Sequence, residues 1–140
     1  MPRPLLGLLL AVLLLPRPAA AQPAPGAVVI NEILYAPSPS DNEFIELYNR
    51  SDTAVALQAL SFADANRAFD PVTAADTALA PGAYAVLVRT PGTFTDAFPS
   101  VPFFAPGGWD ALNNGGDTVV LRHSPSGTAL DSVPYDPSWG

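Results

Sequence analysis

Beyond residue 27, apolar and polar positions alternate in short bursts separated by turn residues, and no stretch between them sustains a helix of ten residues. Val28-Val29-Ile30-Asn31-Glu32-Ile33-Leu34-Tyr35 is β-branched and aromatic, which predicts a strand. Ala36 to Asn42 holds prolines, serines, Asp41 and Asn42, and reads as a loop. Glu43 to Asn49 predicts a second strand. Period-2 geometry puts Ile45 and Leu47 on one face and Phe44, Glu46 and Tyr48 on the other; the first pair makes the better core face. Arg50 to Thr53 closes it with turn chemistry.

The alternation then changes phase. Val55 and Leu57 fall at odd positions, Leu60 and Phe62 at even ones, so a straight strand cannot bury all four. A turn or bulge near Gln58-Ala59 is expected. Asp64 to Arg67 is polar and turn-like, and Phe69 is expected to plug the sandwich edge. Pro81-Gly82 turns the chain into a strand over Ala83 to Arg89, where Tyr84, Val86 and Val88 share a face. Thr93 to Phe98 has Phe94 and Phe98 spaced for one helical turn, which Pro99 and Pro102 stop. Val101 to Trp109 is aromatic and irregular. Asn113 to Asp117 is a dense turn signal, and Thr118 to Tyr135 reads as a hairpin turning at Ser124 to Gly127. About seven strands in this order predict an antiparallel sandwich.

The 17 prolines and 10 glycines in 140 residues agree with that reading. The first 21 residues stand apart. Met1 to Pro4 carries one positive charge, Leu5 to Leu15 is wholly apolar, and Ala19-Ala20-Ala21 offers small residues for cleavage. This is the layout of a secretory signal peptide, with cleavage expected after Ala21. The apolar run is too short for a spanning helix, which needs about 20 residues. The expected organisation is a signal peptide over 1–21, a flexible lead-in over 22–27 and one domain over 28–140. The product is expected to be secreted, on the cell surface or in the periplasm, with no membrane span after signal removal. No cysteine is present, so stability rests on apolar burial, and thiol chemistry is excluded. Net charge is -7, with 13 acids and no lysine. Losing the leader leaves Arg50, Arg67, Arg89 and Arg122 as the only cations besides His123 and the N-terminus. Nucleic acid is therefore not an expected partner.

Five blocks resemble the bacterial lamin-tail domain family in the right order. They are Val29 to Tyr35 with Glu43 to Asn49; Leu60-Ser61-Phe62-Ala63-Asp64; Leu79 to Leu87; Leu112-Asn113-Asn114-Gly115-Gly116-Asp117-Thr118-Val119-Val120-Leu121; and Asp131-Ser132-Val133-Pro134-Tyr135. Leu60 stands where an aromatic residue is common. The resemblance implies an all-β, immunoglobulin-like antiparallel sandwich. In nuclear lamins such a domain contacts chromatin and proteins; in exported bacterial proteins it accompanies hydrolases or adhesion modules. Family members commonly run past the closing Tyr, so the chain is expected to be truncated or a piece of a longer frame.

His123, the sole histidine, lies near Ser124 and Ser126, but adjacency in sequence is not triad geometry, and an exposed strand-end histidine is expected. Glu32, Glu43 and Glu46 are candidates for a carboxylate pair, against solvent-facing alternation. Asp41-Asn42-Glu43 and Asp64-Ala65-Asn66 hold oxygen ligands suited to calcium, without an EF-hand pattern. Gly115-Gly116 lacks the lysine and helix of a phosphate loop. Phe103, Phe104 and Trp109 are expected to cap the core rather than form a ligand patch. No catalytic, cofactor-binding or metal-binding residue is therefore expected. The reading is a non-catalytic binding or structural module mediating protein or carbohydrate attachment. The alternative is an accessory N-terminal domain of a secreted hydrolase or nuclease.

Overall fold

The computed structural model describes residues 22–38, 41–64 and 68–139. The signal-peptide reading over 1–21 lies outside the described residues, as does most of the polar turn expected after Asp64. Six strands have five or more residues: β1 (Val28–Leu34), β2 (Phe44–Asn49), β4 (Leu60–Asp64), β7 (Tyr84–Val88), β9 (Asp117–His123) and β10 (Thr128–Tyr135). Four others have two: β3 (Val55–Ala56), β5 (Asp70–Pro71), β6 (Ala78–Leu79) and β8 (Phe103–Phe104). The first sheet runs β1-β2-β7-β8 and the second β10-β9-β4-β5, while β3 and β6 form a small ribbon. Pairing is antiparallel except between β7 and β8, where the irregular aromatic segment returns as a short parallel edge. Among the described residues no helix is long and apolar enough to cross a membrane.

Inward positions of both sheets build one core. Ile45 and Leu47 of β2 are fully buried, as are Leu87, Leu60, Val119 and Leu121. The phase change after Leu57 is resolved by a 3-10 turn over Leu57–Ala59, which lets Val55, Leu57, Leu60 and Phe62 all reach the core. Two further phase changes occur at bulges. In β1 the register shifts between Ile30 and Glu32, so Val28 and Ile30 face inward before it and Ile33 and Tyr35 after it. In β10 it shifts between Ala129 and Asp131, bringing Leu130 and then Val133 and Tyr135 to the core.

These bulged strands are edges that meet each other. The Ile30 N–H donates to Asp131 Oδ2 at 2.8 Å, and the Gly26 N–H to the Leu130 carbonyl at 2.7 Å. An edge closed in this way offers less open ladder to another chain. The lead-in follows β10, with Gln22 Nε2 donating to Thr128 Oγ1 at 3.0 Å.

Asn49 anchors the end of β2. Its amide is fully buried, donates to the carbonyls of Thr53 and Leu79 at 2.8 Å, and accepts from the Ser51 N–H and hydroxyl. One side chain thus ties β2, the following turn and β6. Gly116 does a similar job at the entry to β9. Its φ is 96°, and an added Cβ would lie 2.9 Å from the Tyr135 carbonyl oxygen, so no other residue fits without backbone movement.

Candidate functional site

The outer face of the first sheet carries more apolar surface than solvent-facing alternation supplies. Phe44, Glu46 and Tyr48 of β2 point outward, as expected, because Ile45 and Leu47 take the core. Register places Tyr48 beside Tyr84, Glu46 beside Val86 and Phe44 beside Val88. The tyrosine rings stack with centroids 4.6 Å apart, and Tyr84 is 56% exposed. The face shared by Tyr84, Val86 and Val88 is thus the outer one; Ala85 and Leu87 pack inward.

Helix α1 (Pro91–Ala97) lies over the other end of this face. It begins two residues before the predicted turn, since proline at the first helical position has no N–H to leave unsatisfied. Phe94 is buried, edge-on to Phe44 at 6.0 Å and to Phe103 at 5.3 Å. Between helix and strands runs a groove of about 160 Å³, lined by Phe44, Val86, Phe94, Phe98 and Val101 with Glu32 and Glu46 at its side. Glu32 of β1 is the cross-strand partner of Glu46. Asn31 Nδ2 donates to Glu46 Oε1 at 2.7 Å.

The three candidate glutamates are therefore split. Glu43 is in phase with Ile45, not with Glu46, and its side chain turns into the rim of the sandwich. Its Oε2 accepts the Leu112 N–H at 2.9 Å and lies 4.0 Å from Arg89 Nε. Burial pushes its carboxyl above the ordinary 4.5, while the Leu112 hydrogen bond and the Arg89 charge pull the other way. This places Glu43 as a tie between the start of β2 and the loop before β9. Glu32 is exposed, so water is not excluded from the remaining pair.

The other candidates are placed as follows. His123 Nδ1 meets Ser126 Oγ at 2.9 Å, but Ser126 also donates to Thr128 Oγ1, within the turn between β9 and β10. Ser124 points elsewhere, donating to Ser61 Oγ at 2.9 Å. The contact clasps a hairpin; among the described residues no carboxylate stands behind the imidazole to orient it. Among the described residues, no group of three or more His, Asp or Glu is arranged to hold a metal. Gly115-Gly116 sits in the turn before β9 rather than at a helix start. Phe104 and Trp109 pack against the core, Trp109 edge-on to Phe62 at 5.1 Å. Tyr135, buried beside the Asn113 backbone and facing nearby acids, has its phenol pushed up to about 12, chiefly by burial.

Phe69 corrects an expectation. It does not plug the sandwich edge; it lies half-buried with the Arg122 guanidinium 3.6 Å from its ring centroid. Val119 and Leu121 face the core, so Arg122 projects from the outer face of the second sheet. Arg122 Nε also donates to Ser61 Oγ at 3.2 Å, and Ser61 and Ala63 on that face are buried. The aromatic and the cation are far apart in sequence, which is why Phe69 read as an isolated ring.

The family model described as Lamin Tail Domain matches residues 21–137. No curated protein matches the chain.

Proposed function

The chain belongs to the lamin tail domain family, a family of non-catalytic immunoglobulin-like β-sandwich domains with structural and binding roles, and from that premise we propose that it is an exported attachment module. It engages a protein or carbohydrate partner through the outer face of its first sheet and carries out no reaction of its own. The observation that carries this reading is the Tyr48–Tyr84 stack. Two neighbouring aromatic rings on a strand face, one of them mostly exposed, offer a flat amphipathic platform without needing a pocket. Export follows from the leader pattern over 1–21, and a protein exposed to varied surroundings with an acidic surface stays soluble and avoids phosphate backbones.

The test compares wild type with the double variant Tyr48→Ala/Tyr84→Ala on immobilised polysaccharides and on fractionated envelope proteins. A partner retained by wild type and released at least tenfold faster by the variant, at equal thermal stability, supports the reading. Equal retention by both moves the binding surface elsewhere and overturns it.

A further inference from the structure

The outer faces of the two sheets differ by a cation. On the second, the ring of Phe69 is covered by an arginine of the same chain. On the first, aromatic and aliphatic side chains surround two carboxylates, and no arginine reaches them among the described residues, where the ion pair is Arg89 with Glu43. Glu32 and Glu46 are directly opposed across the strands, which sets their Cβ atoms roughly 4.5–5.5 Å apart and makes them repel. Glu46 is held by Asn31, the residue that the β1 bulge leaves outside the register. The bulge therefore aims an amide at one carboxylate and leaves the other free to move. Beside them lies the groove of about 160 Å³, with Phe98 and Val101 exposed along its wall. That volume is below the roughly 300–1,000 Å³ of sites for drug-sized ligands; it suits a single long side chain.

We propose that this groove receives an arginine side chain from an extended segment of a partner protein, with its methylene stem along Phe44 and Val86 and its guanidinium bridging Glu32 and Glu46. This deepens the attachment-module reading and rests on it. A guanidinium presents several N–H donors in a planar fork, so it can serve two carboxylates at once, and its weakly hydrated face packs on aromatic rings. A lysine ammonium is a compact, strongly hydrated charge with less to gain from the apolar wall. Calcium needs six to eight oxygens, and two carboxylates with one amide fall short. The acidic net charge speeds encounter with basic partners.

The experiment is an NMR titration of the purified chain with two terminally blocked pentapeptides, one with a central arginine and one with the neutral isostere citrulline there. The arginine peptide is expected to bind at least fivefold more tightly, with amide shifts centred on Glu32, Phe44, Glu46 and Val86. Raising salt weakens it, and the Glu32→Gln/Glu46→Gln variant loses the preference while keeping its spectrum elsewhere. Equal binding of both peptides, no binding, or shifts centred on Tyr48 and Tyr84 overturns the proposal. So does calcium alone shifting the same amides and displacing the arginine peptide. Loss of polysaccharide or protein retention in the tyrosine double variant, together with no arginine preference, would reject this inference and leave the module reading standing.

Discussion

On the outer face of the second sheet, Arg122 covers Phe69, donates to Ser61 and leaves Ser61 and Ala63 buried. On the outer face of the first, Glu32 opposes Glu46, and Tyr84, Phe98 and Val101 stay in water. Both faces hold aromatic side chains beside charged ones. The second has its counter-charge and its cover from within the chain. On the first, α1 covers only the end at Phe44, and among the described residues no arginine reaches Glu32 or Glu46, although covering the rest and separating like charges would each stabilise the fold. A fold tends to keep such local costs where a surface is used. The acidic face is therefore the one to test for partners.

Both faces ride on one frame, tied at Asn49. The most severe test is Asn49→Ala, which leaves the buried Leu79 carbonyl and the Thr53 carbonyl without their donor. A loss of about 3 kcal/mol is expected by denaturant titration. Amide exchange should rise together in β7 and β9; faster exchange in β7 alone would show that the tyrosine face opens independently. Next in size, Arg122→Ala removes a ring contact and a hydrogen bond to a buried serine. It should cost about 2 kcal/mol, and a change within error would mean that the second face is not closed by Arg122.

Glu32→Gln acts in the opposite direction. Removing one of two opposed charges should raise stability by about 0.5 kcal/mol, measured at low salt. A destabilised variant would break the argument that the pair is a cost. The smallest effect concerns Glu43, whose carboxyl is raised by burial. The folded state then holds this proton more tightly than the unfolded one, so the contribution is most favourable below 4.5 and is lost as pH rises through the folded value. Stability of wild type relative to Glu43→Gln should therefore fall from acid to neutral pH in paired denaturation curves. An opposite slope would show that the Leu112 N–H and Arg89 outweigh burial.

Much of this architecture is legible along the chain because it is local. The alternation that sends Ile45 and Leu47 inward and Glu46 outward, the phase change at Gln58-Ala59, and the hairpin closed by Ser124 to Gly127 each depend on residues a few positions apart. The bulges at Asn31 and Leu130 were not expected from the sequence; they show only in the pairing register. In β1 the apolar residues Val28, Val29, Ile30, Ile33 and Leu34 occupy both phases, and in β10 Ala129 and Leu130 do, so alternation alone does not show the shift. The aromatic candidates show the limit. Phe103, Phe104 and Trp109 stand together in the sequence, whereas the exposed ring pair is Tyr48 with Tyr84, joined only by pairing of β2 with β7.

Strand periodicity, turns, the β-sandwich class and the acidic balance are written in the sequence, because each follows from neighbouring residues or from their sum. Which face of β7 meets the core, the separation of Glu43 from Glu46, the reach of Arg122 to Phe69 and the pairing of Glu32 with Glu46 beside a groove all depend on the assembled sandwich. Period-2 geometry sorts side chains onto two faces without saying which face another sheet will cover. That choice is made by register and long-range packing, and in this protein it separates the face the chain completes for itself from the face it leaves open.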